Sequence, residues 1–235
     1  MTDPPAAEVL LEDEHLVAVS KPAGLLTQAP PWKGPTLEDS VRRHLAPGAP
    51  GSVYLGTVHR LDRPVSGVVL WAKTPRAARR LSTQFASRRT VKEYWAVVEA
   101  AGVGEAEGAW EDWLTRSSDP SGVVHVVEPD APDARQALTR YRVEPSARVP
   151  AGAVALRLFP ETGRTHQLRA QAARRGWPIW GDTPYGAVRA FPAGIALHAR
   201  ALTFHHPALG HGVTVTAPLP ETWAGQGFEW PEGAG

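Results

Sequence analysis

His59-Arg60-Leu61-Asp62-Arg63-Pro64-Val65-Ser66-Gly67-Val68-Val69-Leu70-Trp71 is the stretch from which the fold reads outward. Up to Gly67 it is polar and carries Pro and Gly; from Val68 it is apolar and β-branched, as a turn feeding a buried strand should be. Just beyond it, Thr74-Pro75 is a helix-start signal. Ala77, Leu81 and Phe85 then recur at four-residue spacing, predicting a helix with Arg76, Arg79, Arg80 and Arg88 mostly off its apolar stripe. Working away in both directions, apolar runs at Leu16–Val19, Trp95–Val98, Val123–Val127, Val154–Phe159, Ile195–Leu202 and Val213–Thr216 read as strands. A second helix is predicted from about Thr165 to Arg175, stopping at Gly176 with Pro178 beyond. Residues 21–24, 46–51 and 119–122 carry the Pro, Gly and Asp of turns. Strands outnumber helices without strict βαβ alternation, so the expected class is α+β, a largely antiparallel, mixed sheet flanked by helices and loops.

The 235 residues, 43% apolar and 21% charged, suffice for one sizeable core. The Gly-rich residues 224–235 are expected to form a frayed, flexible tail. Cys is absent, which excludes a disulfide framework, thiolate catalysis and Cys-built zinc sites. There is no run of about 18 apolar residues and no basic, signal-like start, so the expectation is a cytoplasmic protein away from membranes. The net charge of +1 hides strong segregation. From Arg60 to Lys92 nine cations face Asp62 alone, and from Arg157 to Arg200 seven Arg face only Glu161 and Asp182. If these stretches fold side by side, they make one positive face suited to a polyanion; the alternative is a pair of solvated helix faces.

Three strings can carry chemistry. In residues 59–67 a carboxylate stands among His59, Arg60 and Arg63. Nearby positive charge offsets the cost of burying such a group, which leaves a nucleophile or general base; a plain surface salt bridge is the other reading. Thr162-Gly163-Arg164-Thr165-His166-Gln167-Leu168-Arg169 puts a Gly turn and two Arg at a helix start, suited to an anion or merely to a capped surface helix. In Lys92-Glu93-Tyr94-Trp95, strand alternation puts Tyr94 opposite Trp95, where its ring can stack on a base or belong to the core. His198, His205, His206 and His211 invite a metal reading, but no His-Glu-x-x-His helix is present and adjacent His205 and His206 in a strand face opposite ways; no metal site is assigned.

In this order the strings resemble the RluA-type family of RNA pseudouridine synthases over most of the chain. Residues 9–26, with Lys21-Pro22-Ala23-Gly24, are similar to the family's opening strand and turn. His59-Arg60-Leu61-Asp62 through Ser66-Gly67 resembles its catalytic signature, and Lys92-Glu93-Tyr94 its Tyr-bearing strand. Gly163 to Arg169, Pro178 to Asp182 with Tyr185-Gly186, and Leu197-His198-Ala199 through Pro207 resemble its later blocks. Val65 stands where the family usually has Thr, and Ala170-Gln171 where Val-His is commoner.

The resemblance implies a pseudouridine synthase catalytic domain over residues 9–223, after an extension at 1–8. It implies isomerisation of uridines in ribosomal or transfer RNA, without a cofactor, by a monomer whose partner is the RNA substrate. Asp62 is then the catalytic carboxylate, Arg169 its ionic partner, and Tyr94 the ring that stacks on uracil. Arg60 fills the space of a flipped-out base. His59, Arg63, Lys92, Arg164, His166 and Gln167 join it in RNA binding. The alternative is an RNA-binding protein of the same fold with little activity.

Overall fold

A computed structural model describes residues 5–30, 34–116, 122–192 and 194–231. In chain order the elements are β1 (Glu8–Glu12), β2 (Leu16–Lys21), α1 (Leu37–Leu45), β3 (Gly56–Thr57), β4 (Ser66–Ala72), α2 (Pro75–Ala86) and β5 (Val91–Glu99). Then follow β6 (Glu107–Arg116), β7 (Val124–Val127), β8 (Arg135–Val143), β9 (Ala153–Pro160), α3 (Gln167–Arg174), β10 (Leu197–His205), β11 (Gly212–Thr216) and the single turn α4 (Glu221–Ala224). The expected strands and both expected helices are present, within a few residues at their ends. The turn foreseen at 119–122 lies, but for Gly122, outside the described residues.

The chain divides into two compact units: residues up to Lys92 together with Ala199–Leu219, and Glu93–His198 together with the residues from Pro220. In the first unit the strands run β1-β2-β4-β10, with β3 also on β4 and β11 on β10; β1/β2, β2/β4, β3/β4 and β10/β11 are antiparallel. Every residue of β4 is buried, which is why Val68 to Trp71 reads as a continuous apolar run rather than an alternation. Leu16, Ala18, Val68, Leu70, Leu202 and Phe204 form one core with Ala77 and Leu81 of α2. That helix starts as its sequence says, with Thr74 Oγ1 accepting from the Ala77 amide and Pro75 in the first turn.

In the second unit the order is β5-β9-β8-β6-β7, each neighbour antiparallel, and α3 packs Ala170 on Leu114, Val124 and Ala137. Gln171, where the family usually has His, is fully buried. It accepts from Thr139 Oγ1 and directs its amide at Asp112 and the Trp110 and Ala137 carbonyls, tying α3 to β6 and β8. Of the tail expected at 224–235, residues 232–235 lie outside the described residues, and the rest is packed. Trp223 and Phe228 are each 1% exposed, Phe191 stacks on Phe228, and Trp230 lies 4.8 Å from Trp95 at an interplanar angle of 8°. The aromatic residues of 223–230 outweigh the glycines, and burying such rings offsets the entropy of ordering the segment.

One glycine carries a steric requirement that bears on the site. Gly67 has φ +118°, and a Cβ there would lie 2.2 Å from the Ala199 carbonyl oxygen and 2.6 Å from its nitrogen. β10 therefore comes this near to β4 only because position 67 has no side chain. Gly67→Ala is expected to cost about 3 kcal/mol and to lower the melting temperature by about 6–12 °C, read by calorimetry.

Candidate functional site

Asp62 sits in the loop between β3 and β4, half-buried, with a turn closed behind it by the Val65 amide donating to the Asp62 carbonyl at 3.1 Å. Both its neighbours are tethered. Before it, Thr27 Oγ1 donates to the Leu61 carbonyl at 2.8 Å and accepts from the Leu61 amide at 3.2 Å. After it, the Arg63 carbonyl accepts from the Gly24 amide at 2.8 Å and from Lys21 Nζ at 3.1 Å, while Arg63 Nε donates back to the Gly24 carbonyl. The Lys21-Pro22-Ala23-Gly24 turn and Thr27 thus form a cradle that fixes the backbone on either side of the carboxylate. Sequence reading quoted that turn without giving it this work.

Lys21 is fully buried and also donates to the Pro22 and Leu25 carbonyls. Burial pushes its ammonium down to about 7, against the pull of the Asp62 charge, with Arg63 adding to the fall. His59 is held neutral: burial, then the charge of Lys92, lower it to about 4. Its Nε2 accepts the Leu70 amide at 3.0 Å, continuing the hydrogen bonding of β4 where β3 ends, and its ring stacks on Phe85. His59, expected to contact RNA, is therefore occupied in attaching the loop to β4. Arg60 and Arg63 are exposed, and Lys92 is lowered to about 8 by burial and then by the charge of Arg88.

In the second unit Arg169 is 6% exposed and makes a bidentate pair with the fully buried Asp182, Nε and Nη2 each at 2.7 Å. Its guanidinium lies 4.8 Å from the Tyr185 ring centroid. The Tyr185 hydroxyl accepts the Val124 amide and meets His166 Nδ1 at 2.9 Å. Asp182 and Tyr185 were quoted in the sequence without roles; the structure makes them the frame for Arg169 and His166. Gln167, also expected to contact RNA, is buried and its amide is committed within the protein. It accepts from Thr162 Oγ1 and the Arg164 amide, and donates to the Leu138 carbonyl and Thr139 Oγ1, so it shapes the loop. Arg164 is exposed, and Tyr94 is half-buried on β5 opposite Leu158.

The two basic stretches part company. In the second, Arg157 pairs with Glu144 and Glu93, Arg169 with Asp182 and Arg175 with Asp112. Three of its seven arginines are thus neutralised by acids and do not add to a positive face. Of the histidines, His206 is buried against Asp13 and its Nδ1 accepts the Ala208 and Leu209 amides. Among the described residues no three His, Asp or Glu converge on a metal-sized site, and no helix is long and apolar enough to cross a membrane.

Residues 15–174 match the family model described as RNA pseudouridylate synthase. The tRNA pseudouridine synthase C of Pectobacterium carotovorum subsp. carotovorum is 36% identical over 242 residues, covering 93% of this chain; the chain spans 60% of that relative's length. The protein of the same name from Haemophilus ducreyi is 33% identical, with 92% of each chain covered. The ribosomal large subunit pseudouridine synthase D of Xanthomonas campestris pv. campestris is 35% identical over 91% of this chain and 66% of its own. The solved structure of human RNA Pseudouridylate Synthase Domain Containing 4 has the same fold, with a TM-score of 0.73 at 23% identity over 96% of this chain and 95% of its own.

Thr27→Val keeps the shape and removes the hydroxyl, stranding the Leu61 amide and carbonyl in a buried place. The Leu61 amide is expected to exchange hydrogen about 10–100-fold faster, and Thr27→Ser to restore its protection, as measured by hydrogen–deuterium exchange.

Proposed function

Because this chain belongs to the RluA-type family of RNA pseudouridine synthases, we propose that it isomerises particular uridines of transfer or ribosomal RNA, with Asp62 as the catalytic carboxylate. The reaction exchanges the bond from C1′ to uracil N1 for a bond from C1′ to C5. The C5 hydrogen leaves as a proton and N1 gains one, so nothing is oxidised, no group is added and no cofactor is called for. Asp62 either attacks C1′ or removes a sugar proton on a glycal route, and both need a carboxylate held in one place.

The observation that carries this reading is the double tether, Thr27 on Leu61 and the Lys21–Gly24 turn on Arg63, with Asp62 between. A protein that only bound RNA would gain nothing from a fixed negative charge beside Arg60 and Arg63, because that charge repels phosphate. Tyr94 is assigned to stack on the uracil and take the C5 proton, and Arg169 to support the charged carboxylate, as the family resemblance implies. Arg60 enters the stack in place of the flipped-out base, a role its planar guanidinium suits and a lysine does not. Arg63, Lys92, Arg164 and His166 complete the proposed RNA contacts.

Asp62→Asn is expected to lower pseudouridine formation on the order of 1,000-fold or more while leaving the melting temperature near that of the parent; wild-type yield in mapped transfer and ribosomal RNA overturns the assignment. Arg60→Ala is expected to reduce the rate about tenfold more on a folded RNA than on a short unstructured strand, where no stack has to be opened. Equal losses on the two RNAs remove the flipping role.

A further inference from the structure

Between the second half of α2 and the turn joining β10 to β11 lies an open cleft of about 330 Å³, lined by Arg80, Thr83, Gln84, Arg89, His205 and Gly210 among others. Its walls are anchored. Gln84 accepts the His205 amide and donates to the His205 carbonyl, both at 2.8 Å, while Arg80 Nη1 donates to the Pro207 carbonyl. Arg80 is thereby held in a set direction at the cleft, and Arg89 donates to Ser87 Oγ at its other side.

The electrostatics are unlike those of the second unit. Residues 74–92 contain no acid, and Arg76, Arg79, Arg80, Arg88 and Arg89 are all exposed. No carboxylate pairs with any of these five among the described residues, whereas Arg157, Arg169 and Arg175 are each paired. Unpaired guanidiniums at fixed places around a nucleotide-sized hollow fit a phosphodiester. The lining offers no Phe, Tyr or Trp, so the cleft suits backbone rather than a stacked base.

Its position joins it to the Asp62 loop. Phe85, late in α2, stacks on His59 at 4.8 Å, and the charge of Lys92 acts on that same histidine. Positive groups therefore run from Arg60 and Arg63, past Lys92 at the start of β5 and Arg88 in the turn after α2, to Arg89 and Arg80. We propose that this cleft is a phosphodiester-binding site for the backbone of the RNA outside the target nucleotide, with Arg80 and Arg89 as its contacts. This deepens the proposed function and rests on it.

The test is the salt dependence of binding to a labelled RNA hairpin of arbitrary sequence, from about 50 to 200 mM KCl, each released phosphate contact lowering the log–log slope by about one. R80Q/R89Q is expected to lower the slope by about two. Arg89→Gln alone, which leaves the Arg80–Pro207 bond in place, should lower it by about one even if the double variant folds poorly. R140Q/R142Q removes the same charge from arginines already paired with Glu161 and Glu107 and should leave the slope unchanged. An unchanged slope in the Arg80 and Arg89 variants, or an equal fall in the control, overturns the site. Asp62→Asn should bind with the wild-type slope, so a failure of the catalytic assignment shows in its activity and not in this measurement.

Discussion

The backbone on either side of Asp62 is restrained by a small set of hydrogen bonds from residues 21–27 to Leu61 and Arg63. Ordering a short loop costs about 1–2 kcal/mol per residue, and each bond contributes about 1 kcal/mol net. Gly67 adds a steric condition at the other end of the loop, because the backbone of β10 passes where a Cβ would be. The Lys-Pro-x-Gly turn and the Ser-Gly step, which look like separate features of the sequence, serve one mechanical purpose on the two sides of Asp62.

Charge is sorted by the same folding. Both basic stretches look alike as strings, yet the second is threaded through acids from β5, β6 and the segment after β8, and the first meets none along α2. Buried ion pairs such as Arg169–Asp182 add little net stability because desolvation offsets attraction, but they fix geometry, since breaking one strands a charge. The unpaired arginines of α2 remain available for a polyanion. The near-neutral net charge is thus compatible with an RNA enzyme whose positive field is local.

What was legible in the chain follows from periodicity. β2 and β4 are buried on both faces and α2 on one stripe, so apolar residues recur at the spacings that backbone geometry dictates. β6 and β8 escaped notice because their inward positions are not all apolar: Asp112 stands between Trp110 and Leu114, and Thr139 between Ala137 and Tyr141. Gln171 of α3 and Arg175 just after it satisfy these polar groups, and only the packed fold supplies them. α1 did carry a signal, the Thr36-Leu37-Glu38-Asp39 capping box. In the site, Asp62 and Arg169 stood out by their strings, whereas the strings gave no sign that His59 Nε2 and the Gln167 amide would bond within the protein.

By itself the sequence determined the local elements and the family to which the chain belongs, because these depend on residue type and spacing along one segment. Which polar groups are spent on the protein and which remain for a ligand was decided by tertiary structure alone. A hydrogen bond or ion pair joins atoms that are close in space, and Thr27 with Leu61, Gln84 with His205 or Arg169 with Asp182 come together only when the strands and helices between them have packed.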